Sequence, residues 1–308
     1  MKFFIYPLEF IEIEKLSSVH FYFFNLWIEK SYLTLCNHSH RTINPEEADY
    51  YIISFTLFTF KFVKYNLKMI NQKIKNLKYI NSEKPHIVFD FSNKNYPIYD
   101  NPNLFYFKTS CNKENHDLKK HISIPLFPLY MFSDDEIDEP EDRLVLASFR
   151  GDLKNNLRNE LIKYNTIDLI IKDESIRELD LSEDMEYKIL NHENLESYVN
   201  LLYNSKFTII PRGTSVGLSY RLIESMSAGS IPVIISDNHV LPFSDMINYN
   251  KFSISIKEKT IKNLEKKLKE IKNLNDLHNN LMIIYNIYFS SIEKIISTAL
   301  VIFEIKRY

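Results

Sequence analysis

Glycine is what this chain lacks most. Four occur in 308 residues, where ordinary usage of roughly 7% would supply about twenty. All four, Gly151, Gly213, Gly217 and Gly229, lie after residue 150, so backbone geometry that only glycine tolerates is confined to the second half. The two cysteines, Cys36 and Cys111, are too few for a disulfide framework, and neither stands in a metal-ligand spacing. They read as reduced, part-buried thiols. No Asp-x-Asp occurs, so a metal clamp on a diphosphate has no motif behind it. An excess of one charge is also missing: 38 basic residues face 40 acidic ones, a net charge of −2, which removes the electrostatic case for nucleic acid. Uninterrupted apolar runs are absent too. The stretch Leu281 to Ile305 is broken by Asn286, Ser290, Ser291, Glu293 and Lys294 and fits an amphipathic helix better than a membrane span. The apolar start is cut by Pro7 and Glu9, too short for a signal-peptide core. These absences lead us to expect a soluble chain with no transmembrane segment, cytoplasmic or peripheral at a membrane.

What is present is globular: 45% hydrophobic and 25% charged residues, over a length suited to two domains. Short apolar runs at Phe3–Ile5, Tyr50–Phe55, Ile87–Phe91 and Leu104–Phe107 read as buried parallel strands. Helical spacing lies between them at Ser17–Lys30 and Phe62–Tyr79. Pro125, Pro128 and the acidic stretch Ser133–Asp142 mark a boundary. A second series follows: strands at Leu144–Phe149, Asp168–Lys172, Phe207–Ile210 and Ile231–Ile235, with helices at Arg158–Tyr164, Leu195–Tyr203 and Ser219–Ala228. Helices Ile261–Lys272 and Leu281–Ile305 close the chain. The alternation predicts an α/β protein with domains at 1–140 and 141–280 and a closing helix in 281–308.

The densest chemistry lies between Pro211 and Phe243. A strand ends at Pro211, and Arg212, Gly213, Thr214, Ser215 and Gly217 form a small-residue loop leading into a helix. Such loops expose backbone N–H groups to an anion, and a guanidinium at Arg212 suits phosphate oxygens. Arg221 and Glu224, three apart, share a helix face, where a carboxylate can accept from a ribose diol. The plainer readings stand beside these. Gly-x-x-x-Gly is as often an ordinary turn, Arg221–Glu224 a surface pair of little value, Gly229 a helix cap, and Arg150 and Arg158 solvated side chains. Spacing alone leaves a nucleotide site and a plain turn equally open.

As a whole, residues 207–243 resemble the donor-domain signature of the exostosin family, glycosyltransferase family 47. Further segments carry the likeness in order: RTINPEEADYYIIS (41–54), PHIVFDFSNKNYP (85–97), HISIPLF (121–127), FRGDLKNNLRNEL (149–161) and YFSSIEKIISTALVIFEIKR (288–307). The resemblance implies a GT-B fold, with two Rossmann-like domains facing across a cleft and a C-terminal helix packing back. It implies inverting transfer from a UDP-sugar to an oligosaccharide or glycoconjugate acceptor, in a homo- or hetero-oligomer. The likeness to the first catalytic domain of the heparan-sulfate copolymerases suggests glucuronic acid. Those larger proteins carry a membrane anchor and a second transferase domain, which we do not expect here. One departure bears on the sugar: where they resemble Pro-Arg-Gly-Arg-Arg, this chain has Thr214 and Ser215 after Gly213, so a neutral donor sugar is an alternative.

On this resemblance the donor-binding set is Arg150, Gly151, Arg158, Arg212, Gly213, Ser215, Ser219, Tyr220, Arg221 and Glu224, with no metal and no cofactor. Inversion also needs a base. Asp90, at the end of a predicted strand where open α/β sheets place ligands, is the candidate, with His38, His40 and His86 as rivals. A catalytically silent scaffold subunit is the reading from another class, and a fucosyltransferase-like enzyme using a GDP donor is a third.

Overall fold

The computed structural model describes residues 1–7, 30–53, 67–91, 101–128, 137–153, 155–173, 192–213 and 219–307. The expected helix at Ser17–Lys30 lies, but for its last residue, outside them, as does Ser215. The chain divides into two compact units: residues 1–127 with 240–245 and 292–308, and residues 128–239 with 246–291.

The first unit holds five parallel strands in the order β1-β2-β3-β4-β5: Phe3–Ile5, Tyr50–Ile53, His86–Asp90, Leu104–Lys108 and His121–Ser123. Every residue of β2 and β3 is buried, as expected of a parallel sheet covered on both faces. The turn before β2 explains the spacing Thr42-x-x-Pro45-x-x-Ala48. Thr42 donates its N–H to the Phe3 carbonyl at 2.8 Å, the Asn44 side chain accepts from Glu46 N, and Pro45 opens a 3-10 turn. On one face Tyr6 and Tyr51 stack on His86, and Tyr79 packs on both tyrosines. On the other, Tyr50 and Phe105 meet Phe303 of the last helix, Ile292–Lys306, at ring centroids of 4.9 and 5.0 Å.

Helix Lys30–Cys36 (α1) packs on that last helix, and Leu67–Lys75 (α2) lies between β2 and β3 in sequence. Residues 240–245 join the same unit through Phe243 N–H to the Ser123 carbonyl, 2.8 Å, and Ser123 Oγ to the Val240 carbonyl, 3.1 Å.

The second unit has strands Val145–Arg150 (β6), Leu169–Lys172 (β7), Ser205–Pro211 (β8), Ile231–Ile235 (β9) and Ile254–Ile256 (β10), all parallel in the order β10-β9-β8-β6-β7. From β6 the chain steps outward once to β7, then returns past its start to β8. This is the doubly wound order whose direction reverses between β6 and β8, where such sheets open a crevice at their carboxyl ends. The helices are α3 (Asn156–Leu161), α4 (His192–Tyr203), α5 (Arg221–Ser227), α6 (Leu264–Lys269) and α7 (Leu274–Ile284).

The α/β class and the alternation read from the sequence are found. Two element predictions need correcting. Helix Ile261–Lys272 is a 3-10 stretch, Glu258–Asn263, followed by the short α6. The run 281–305 is not one helix: α7 passes into a π-helical turn at Tyr285–Phe289, breaks at Ser290–Ser291, and restarts as Ile292–Lys306 (α8). Two serines in sequence favour local side-chain bonds over the helix ladder, and Ser290 Oγ donates to the Asn286 carbonyl. Strand β10 follows no signal that the periodicity carried. Among the described residues no single helix is long and apolar enough to cross a membrane.

Candidate functional site

At the reversal point the strand ends deliver Arg150 from β6 and Arg212 just past β8. Phe149, fully buried, supplies a ring beneath two guanidinium groups, with Arg221 Cζ 4.7 Å and Arg158 Cζ 5.8 Å from its centroid. Arg221 Nη2 donates to the Arg150 carbonyl at 2.5 Å, and Nη1 to Ser219 Oγ at 3.3 Å. Gly151 makes room for this: a Cβ there would stand 2.7 Å from Arg221 Nη2.

Arg158 is held from both ends. Asn155 caps α3 by accepting from Arg158 N–H, and Arg158 donates to the carbonyls of Arg212 and Asp152 at 3.3 and 3.1 Å. Burial, then repulsion from Arg221 and Arg212, pushes the Arg158 guanidinium down to about 10. Arg212, 36% exposed, is balanced by Glu258, whose Oε1 accepts from Nε at 2.8 Å. Positive charge thus outweighs negative here, and an anion relieves the repulsion among the guanidinium groups.

Beside this cluster, α5 carries Glu224, almost fully buried. Its Oε2 accepts a 2.7 Å bond from Tyr198 Oη. Its Oε1, and Arg221 Nε nearby on the same helix, have no hydrogen-bond partner among the described residues. A buried carboxylate oxygen left bare is costly unless something else satisfies it.

The structure therefore brings together Arg150, Gly151, Arg158, Arg212, Ser219, Arg221 and Glu224. Gly213 follows Arg212 directly, and Tyr220 occupies the position before α5, half-buried, with its carbonyl accepting from Ile223 and Glu224. Tyr198, Phe149 and Glu258 were not foreseen. Each acts by meeting a residue distant in sequence, and no local spacing announces such a meeting.

Asp90 sits in the first unit at the carboxyl end of β3. It pairs with Lys108, in register on β4, at 3.2 Å, both side chains buried. Of the rival histidines, His86 is structural. Its Nδ1 lies 3.0 Å from the Lys84 carbonyl and so carries the proton, its Nε2 accepts from Tyr6 Oη, and burial pushes it down to about 4. His38 and His40 pack edge to face, 5.2 Å apart. Among the described residues no group of three His, Cys, Asp or Glu side chains is placed to hold a metal ion.

The cluster of guanidinium groups thus stands at the reversal point of a doubly wound, all-parallel α/β sheet. Residues 11–271 match the model of the exostosin GT47 domain, and the chain belongs to that glycosyltransferase family. It is 26% identical over 289 residues to an Exostosin-1 homolog of Caenorhabditis elegans, covering 83% of this chain and 75% of that protein. It is 26% identical over 297 residues to Exostosin-1c of Danio rerio, covering 87% of this chain but only 40% of the fish protein. Among solved structures it resembles TarM at a TM-score of 0.41 and 14% identity, over 83% of this chain and 55% of that one.

Proposed function

We propose that the chain is an inverting glycosyltransferase that binds a UDP-sugar in its second unit and passes the sugar to an acceptor glycan. The observation that carries this reading is the bare Oε1 of buried Glu224 beside the arginine cluster at the β6/β8 reversal. A nucleoside diphosphate supplies both missing partners, ribose hydroxyls for the carboxylate and phosphate oxygens for the guanidinium groups.

In the reaction an acceptor hydroxyl oxygen bonds to the anomeric carbon while the bond from that carbon to the β-phosphate oxygen breaks. The electron pair leaves with UDP. Arg212 and Arg158 stabilise the growing phosphate charge, needing no metal for the purpose. The hydroxyl proton goes to a base, for which Asp90 is the candidate. Its ion pair opposes that role, because protonating Asp90 leaves the Lys108 ammonium buried without its counter-charge. Asp90→Asn decides: loss of turnover with UDP binding retained supports the base, and unchanged turnover removes it. Glucuronic acid is the donor sugar suggested by the likeness to the copolymerases; Thr214 and Ser215 favour a neutral one.

The test is a panel of UDP- and GDP-sugars, measuring binding and then nucleotide release with and without acceptor glycans. We expect UDP species to bind and release to continue in a chelator. Glu224→Ala should weaken UDP by about tenfold or more, since a hydrogen bond to a charged group is lost. Absence of binding by any UDP species overturns the donor site. Binding without turnover across a broad acceptor set returns the scaffold reading.

A further inference from the structure

The hydroxyl that occupies Glu224 Oε2 comes from a residue outside every motif. Tyr198 is buried on α4, its ring packed with Leu202 and Ala228, and its Oη donates to Glu224 Oε2 at 2.7 Å. A carboxylate is free to turn about its last torsion. One short charge-assisted bond fixes which oxygen faces the helix and which faces away. A phenol has a single proton to give, so Oε1 is left over, and it is the atom without a partner among the described residues.

We propose that Tyr198 is a positioning residue for nucleotide recognition. It locks Glu224 so that Oε1 is presented to the ribose hydroxyls of the donor. The inference rests on the donor-site reading given above and adds to it how the carboxylate is aimed. Two features separate this from a role in packing alone. A phenylalanine fills the space among Leu202 and Ala228 equally well, so the cluster itself does not call for a hydroxyl. A pair built only for stability leaves no buried carboxylate oxygen bare, because that oxygen carries the full desolvation cost. With Oε2 already engaged, the ribose is read through one oxygen, and the orientation of that oxygen decides the affinity.

The experiment is calorimetric titration of the full chain with UDP and with 2′,3′-dideoxy-UDP, which keeps base and phosphates but lacks the diol. Wild type should prefer UDP by about tenfold or more, and Tyr198→Phe should lose about tenfold for UDP but under about twofold for the dideoxy nucleotide. The double variant Tyr198→Phe/Glu224→Gln should bind UDP no more weakly than Glu224→Gln alone, because the tyrosine acts through the carboxylate. Leu202→Ala, which loosens the ring and keeps the hydroxyl, should show the same nucleotide selectivity of loss at smaller size, and stands in should Tyr198→Phe not fold. Equal losses for the two nucleotides, or unchanged UDP affinity in folded Tyr198→Phe, overturn the proposal. Failure of wild type to bind either nucleotide overturns the donor-site reading and the proposal with it.

Discussion

Gly151 and Gly229 answer to different constraints, and substitution separates them. At Gly151 the backbone is unstrained, but a Cβ would press on Arg221 Nη2 at 2.7 Å and on the Phe149 ring at 3.3 Å. The flexible guanidinium yields first and leaves the Arg150 carbonyl. Gly151→Ala should therefore cost only about 1 kcal/mol of stability while weakening UDP about tenfold, read by denaturant unfolding beside titration. Gly229 ends α5 in the left-handed region, φ 66°, and its Cβ would meet Ile137, Arg143 and His278 at 2.5, 2.8 and 2.9 Å. Gly229→Ala should cost about 2–4 kcal/mol with nucleotide affinity of the folded protein unchanged. The helix-cap reading of Gly229 was available from its place between a helix and Ile231. The demand on Gly151 was not, because Arg221 is seventy residues away in the chain.

Elements of this protein are held by partners of unexpected chemistry. The face of the second sheet next to α4 is joined by hydroxyls: Ser205 Oγ to Ser148 Oγ at 2.7 Å, Thr208 to Ser230 at 2.7 Å, and Ser230 Oγ to the Ser205 carbonyl at 2.9 Å. Buried Arg143 donates to the carbonyls of Leu202, Ser205 and Ala228, two of them at the carboxyl ends of α4 and α5, where a cation is favoured. In the first unit α8 buries Ile295, Ile296, Ala299, Ile302 and Phe303, the helical spacing that its sequence displays. Which sheet receives that stripe is decided by Tyr50 and Phe105. Phe303→Ala should destabilise the first unit by about 3–5 kcal/mol, although it lies some two hundred residues beyond those strands. Urea unfolding followed by probes within residues 1–127 checks this.

At the scale of the molecule, the first unit carries an acid-sensitive core. His86 is kept neutral when folded and is pushed down to about 4 by burial, against 6.5 for the free side chain. Below about pH 6.5 the unfolded chain takes up a proton that the folded chain refuses, so stability falls with pH until the folded histidine also titrates near 4. The full effect is about 3 kcal/mol. Burial holds His121 low in the same way. Unfolding midpoints in urea at pH 7 and pH 4.5 should show this loss in wild type. His86→Phe, which keeps a flat ring between Tyr6 and Tyr51 but cannot titrate, should show less of it.

Much of this was legible in the chain itself. Buried parallel strands announce themselves because both faces are covered, so every residue is apolar and the run is short; β1 and β9 fall on the stretches expected. The arginines and Glu224 were legible as a set because the family pattern holds them in sequence, and their physical types suit a diphosphate and a diol. Sequence by itself determined the α/β alternation, the family and the half of the chain where the special backbone lies, since these depend on local periodicity and residue type. Tertiary structure alone decided that α8 and residues 240–245 belong to the first unit. It decided too that Asp90 meets Lys108 across a strand register, and that Tyr198 occupies one oxygen of Glu224. Each of these is a contact between distant segments, set by how sheets and helices pack rather than by spacing along the chain.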